Sequence, residues 1–365
     1  MCKGQEHVTA AKKKKIRLTV SAEAERYVRR DAPVKARKMA ATGAMPLPPI
    51  ELATVLFVLM NDADAEIKKT ARDSLQKLPD SICDPVLTGA AHPAVLGTMA
   101  HLYQENEARL EKIALNAATD DPTIAFLATL PCKRVIEIIG NNQERLMRSP
   151  AIVDALGDNG LTGRATIERI LTFLGVIEEA AADNDGFEKK ELSEAEAEAA
   201  LLAVLGPDAK DLARQLSKES DEEMSEELKG SLSVLIGKMS VFHKIKLASM
   251  GNKEARGILI RDKNKIVAAA AIRSPKITDN EVEAFSKSRQ LSDDVLRIIS
   301  MNREWTKLYQ VKLGLATNPK CPLPMAIKLL SLLQEKDLRQ ISKSKEVPGA
   351  IASQAKRVLV QRGKG

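Results

Sequence analysis

The sequence predicts an all-α protein, an α-solenoid of short, irregular helix pairs in two arrays. Three observations carry that expectation. Apolar residues recur at helical spacing, as in Leu52, Val55, Leu56 and Leu59, which fall at i, i+3, i+4 and i+7. Pro and Gly punctuate the chain at short intervals between such stretches, closing one helix and opening the next. Short turn fragments also recur, each followed by an apolar helix. Period-2 alternation is nearly absent, so strands are expected in fewer than about one residue in twenty. Apolar residues make up 44% of the chain but aromatics only 3%. Leu, Ile, Val and Ala must therefore fill the core, and these side chains suit closely spaced helices.

Residues 1–47 read as a basic tail and lead-in, with Lys12 to Lys15 in a solvated run and Ile16 to Val20 as one short extended segment. The first array spans 48–176. Asn61-Asp62-Ala63-Asp64 breaks the helix that carries Leu52 to Leu59. Ile67, Ala71, Leu75 and Leu78 mark the next helix, and Pro79 closes it. Helices this short, joined by a few polar residues, cannot bury an apolar stripe alone and must stack. An acidic spacer covers 177–227, with Asp183-Asn184-Asp185-Gly186 in its polar part. A second, basic array fills 228–365. The net charges of the four segments are +8, −5, −12 and +16, within an overall +7.

The turns match one another over long distances. Gly89-Ala90-Ala91-His92-Pro93 resembles Ala118-Thr119-Asp120-Asp121-Pro122, with Pro at the first helical turn, where its missing N–H costs nothing. Asn159-Gly160-Leu161-Thr162 and Asn318-Pro319-Lys320-Cys321 each lead to an apolar helix, at an offset of 159 residues. Arg148-Ser149-Pro150 is echoed by Arg273-Ser274-Pro275. The pattern Asn318-Pro319-Lys320-Cys321-Pro322 followed by an apolar helix resembles the HEAT-like and leucine-rich-variant repeat families, over most of 48–176 and 240–360. That resemblance implies a curved right-handed stack used as a binding surface. The cysteine cluster of the leucine-rich-variant pattern is missing, so no iron–sulfur centre is implied.

The motifs of known chemistries do not assemble. His7, His92, His101 and His243 lack the i, i+4 spacing of a zinc helix. No G-x-S-x-G elbow or phosphate-cradling glycine loop occurs. If Gly186 were the sixth residue of a calcium loop, Ala181 and Leu192 would stand where the first ligand and the bidentate Glu belong; an acidic turn explains the same residues. The four cysteines are scattered and read as free thiols. No apolar run is long enough for a membrane span, and the N-terminus lacks the run of a secretory signal.

These readings lead to the expectation of a cytoplasmic, non-catalytic scaffold or adaptor with no metal or cofactor and no membrane insertion. Its candidate binding residues are Arg256, Arg261, Lys263, Arg273, Lys276 and Lys320, basic side chains near turns that stacked repeats would align along one edge. The expected partner is a protein, an acidic one where this array does the docking. Nucleic acid is the alternative, because a basic ridge can track phosphates, although too few aromatics are present for stacking on bases. Trp305, four residues before Tyr309, reads as a plug between repeats.

Overall fold

The computed structural model describes residues 18–29, 31–176, 194–206, 209–218 and 225–363. Among them the regular structure is entirely helical, with 24 α-helices, short 3-10 turns and no strand. Lys12 to Lys15, the Asp183–Gly186 turn and the acidic run Glu219 to Glu223 lie outside the described residues. The chain divides into two compact units, Met1–Ile139 and Gly140–Gly365. The boundaries expected at 176 and 228 both fall within the second unit.

The first unit opens with α1 (Ala22–Val28), α2 (Val34–Ala41), α3 (Pro49–Leu59) and α4 (Ala65–Gln76). The α1–α2 pair lies in the segment read as a lead-in; α1 and α2 pack on α3, and α2 also packs on α4. Its buried residues are alanines, Ala24, Ala40 and Ala41, which leave almost no apolar period among Lys and Arg. Helix α3 buries Leu52, Ala53, Thr54, Val55, Leu56 and Leu59, so it is apolar on nearly all sides because helices cover it on several faces. Asp64 starts α4 by accepting from the Glu66 and Ile67 N–H groups.

The stack continues through α5 (Asp80–Thr88), α6 (Pro93–Leu102), α7 (Glu107–Leu115) and α8 (Asp121–Thr129). Here α5 packs on α7 and α6 on α8. Helix α9 (Lys133–Gly140) spans the boundary.

The second unit holds α10 (Gln143–Arg148), α11 (Pro150–Asp158), α12 (Arg164–Phe173), α13 (Glu194–Leu205), α14 (Lys210–Ser217) and α15 (Glu226–Lys238). Then follow α16 (Val241–Met250), α17 (Lys253–Leu259), α18 (Lys265–Ile272), α19 (Asp279–Lys287) and α20 (Asp293–Met301). After a 3-10 turn at Trp305–Lys307 come α21 (Tyr309–Thr317), α22 (Leu323–Leu330), α23 (Glu335–Lys343) and α24 (Gly349–Arg362). Every residue of α18 from Ile266 to Ile272 is buried, with α11, α12, α16, α17 and α20 around it. The α13–α14 pair, placed in a spacer by its charge, buries Leu201, Leu212 and Leu216, and α13 packs on α16.

The recurrent turns share a physical device. The Asn116 amide reaches back to the Leu87 and Gly89 carbonyls (2.6 and 2.9 Å), which the end of α5 leaves without intrahelical donors. Asn318 does the same for the Ser286 and Ser288 carbonyls at the end of α19 (3.0 and 2.9 Å). Asn159 and Asn318, paired by the offset of 159, each accept from the N–H two residues on at 3.0 Å. Where α21 crosses α19, Gly314 is needed, because a Cβ there would collide with the Ser286 hydroxyl.

Candidate functional site

The six candidate basic residues do not form one edge. Arg256 is fully buried on α17. Its Nε and Nη2 donate to the two Glu281 carboxylate oxygens at 2.9 Å each, and Nη1 donates to the Gly251 carbonyl at 2.8 Å. This fork staples α17 to the start of α19. Burial pushes the Glu281 carboxyl up, but the bonds and charge of Arg256, with the capping bonds of Thr278, outweigh it and hold the carboxyl below its ordinary value. Arg256 therefore corrects the expectation of a surface ligand: its charge is spent inside the unit.

Arg261 and Lys263 are exposed ahead of α18, whereas Arg273 and Lys276 follow it. Eight residues of helix separate the two pairs by about 12 Å, at opposite ends of the packed layer. Lys265 Nζ lies 3.5 Å from Asp294, which sets the start of α18 beside the start of α20. Asn318 ties the α21–α22 turn to the α19–α20 turn, so Lys320 falls at the end that carries Arg261 and Lys263. At the other end, Lys276 Nζ donates to the Met250 carbonyl at 3.1 Å.

Arg273 instead enters a groove that runs over α18 between α12 and α20. One cleft of about 470 Å³ includes Arg164, Ile272, Arg273, Met301 and Trp305 in its lining. A second, of about 240 Å³, includes Ile167, Glu168, Lys265, Ala269 and Arg297. The two share Arg164, Arg273 and Ile298, so they adjoin along those side chains. Each wall is a helix stripe: Arg164, Ile167 and Glu168 on α12; Lys265, Ala269 and Arg273 along α18; Asp294, Arg297, Ile298 and Met301 on α20. Trp305 closes one end from the 3-10 turn, half-buried, and so faces open space as well as packing. Met301 is 54% exposed.

At the centre, Glu168 Oε1 accepts from Arg273 Nη2 at 2.7 Å and from Arg164 Nε at 3.0 Å. Partial burial raises the Glu168 carboxyl, but hydrogen bonds and charge from Arg273 and Arg164 outweigh it, and the group sits below its ordinary value. Arg164 Nη1 meets only a thioether, the Met301 sulfur, at 2.8 Å. A thioether is a weak acceptor for a guanidinium. Ser274, 2% exposed, lines the same cleft, and its hydroxyl has no hydrogen-bond partner. The groove thus carries four cationic side chains, Arg164, Lys265, Arg273 and Arg297, against Glu168 and Asp294. Gly163 supplies no capping side chain to the start of α12, whose first-turn N–H groups add positive potential there.

Of these residues the sequence singled out Arg273 as a binding residue. The Arg164–Glu168 spacing marks one helix face, but nothing local shows that residues 105 apart, Glu168 and Arg273, meet. No described group of three or more His, Cys, Asp or Glu side chains is arranged to hold a metal ion. No helix among the described residues is long and apolar enough to cross a membrane.

Fold and groove together define an all-α protein of helices stacked on sequential neighbours. No known protein family, curated protein or solved structure matches the chain.

Proposed function

We propose that this chain is a non-catalytic protein-binding scaffold that docks a segment of its partner in the α12–α18–α20 groove. The observation that carries this reading is the groove itself. It is an open trough with an apolar floor, an exposed Met and a half-buried Trp at one end, and guanidinium groups midway. Helix stripes that enclose such a trough suit an extended or helical peptide, which fixes apolar anchors in the floor and polar contacts at the rim.

A phosphate-tracking ridge has less support. Arg256 is enclosed, Arg273 and Lys276 are engaged at one end of α18, and Arg261, Lys263 and Lys320 stand at the other.

Panning the full chain against displayed peptides tests the proposal. Recovered peptides should bind the wild type and lose at least about tenfold in affinity for Met301→Glu or Trp305→Ala, since each removes apolar contact worth about 1.4 kcal/mol or more. Peptides that bind both variants unchanged would remove the groove. Retention on heparin with a steep salt slope, and no peptide recovered, would favour nucleic acid instead.

A further inference from the structure

Resting on that reading, we infer that the groove recognises a carboxylate next to an apolar side chain in the partner peptide, bound by Arg164 and Arg273 beside Glu168, which competes with it for their donors. Both arginines at the centre of the groove donate to one oxygen of Glu168. Each guanidinium has five N–H donors. One of those on Arg164 is spent on a sulfur. A second carboxylate therefore finds charge and planar donor pairs already assembled, with bidentate geometry available.

The charge balance points the same way. Arg164 and Arg273 against Glu168 leave one positive charge, which one incoming carboxylate neutralises. Arg297, with Lys265 facing Asp294, extends the positive potential along the trough. Met301, Ile277 and Trp305 line the apolar end, and they set the neighbouring partner residue as a large aliphatic or aromatic one.

Glu168 makes this more than a basic patch. It accepts from both arginines through one oxygen and competes with the ligand for them, so its neutralisation should strengthen binding. A surface cation cluster with no resident anion would show no such effect.

The experiment uses the full chain and three displayed twelve-residue libraries. One is built from Glu, Asp, Leu, Phe, Trp and Ser; in the others Gln/Asn or Lys/Arg replace the acids. The expected result is binders from the acidic library. Their affinity should rise several-fold for Glu168→Gln, fall at least about tenfold for Arg164→Gln/Arg273→Gln, and decline with salt. The double variant is scored only with its thermal unfolding matched to the wild type; otherwise the salt dependence and the Glu168→Gln arm decide.

Acidic peptides that bind Glu168→Gln equally or more weakly would overturn the competing role of Glu168. A phosphoserine in place of the peptide's acid that binds more than tenfold tighter would overturn the carboxylate assignment. Binders from the neutral or basic library alone, lost on Trp305→Ala, would leave a protein-binding groove and remove the carboxylate inference. No binders from any library would remove both.

Discussion

Replacing Glu281 by Gln tests the interior of the second unit. Arg256 is 0% exposed and Glu281 10%, joined through two parallel hydrogen bonds of 2.9 Å. The amide still accepts one hydrogen bond but carries no charge, so the guanidinium is left buried and uncompensated. Breaking such a pair from one side costs about 3–5 kcal/mol. At about 2–4 °C per kcal/mol for a unit of this size, the melting transition of the second unit should fall by roughly 6–20 °C. The assay is differential scanning calorimetry at pH 7, with helix content at 25 °C as a control.

The double variant Arg256→Met/Glu281→Leu should recover most of the loss, because it removes both charges and keeps the volume. pH adds an independent sign. The folded Glu281 carboxyl lies below its ordinary 4.5, so its stabilisation is present above 4.5 and is lost as pH falls through the folded value. The gap between wild type and Glu281→Gln should therefore be full at pH 7 and narrow in acid. A drop of less than about 2 °C at pH 7 would refute the reasoning, because an exposed pair costs only about 0–1 kcal/mol.

Two further outcomes follow from the same structure. Asn318→Ala strands the Ser286 and Ser288 carbonyls and should cost about 1–3 kcal/mol in urea unfolding, whereas Lys320→Ala in the same turn should be near neutral. Burial pushes the Cys321 thiol up to about 11, so iodoacetamide at pH 8 should label it much more slowly in the native chain than in urea.

Much of the architecture was legible where apolar side chains are large. The Leu52–Leu59 and Ile67–Leu75 spacings mark α3 and α4 to within a few residues of the observed ends. Helices α1 and α2 were hidden because their buried contacts are alanines, which signal burial weakly among lysines and arginines. The repeated Asn turns were visible as turns, but their reach to carbonyls about 30 residues upstream is a tertiary fact.

Charge was the poorer guide to the site. Arg256 sits between Ala255 and Gly257 in a basic stretch and resembles its exposed neighbours Arg261 and Lys263. The Glu281 carboxylate, 25 residues away, compensates its buried charge. Arg273 pairs with Glu168, which comes from an array that net charge had set apart.

Hydrogen–deuterium exchange of the full chain, with and without a peptide from the acidic library, tests the groove most directly. The account predicts slowed exchange in 164–173, 265–273 and 293–305, lost in Arg164→Gln/Arg273→Gln. Protection confined to Met1–Ile139, or to the turns that carry Arg261 and Lys320, would contradict it.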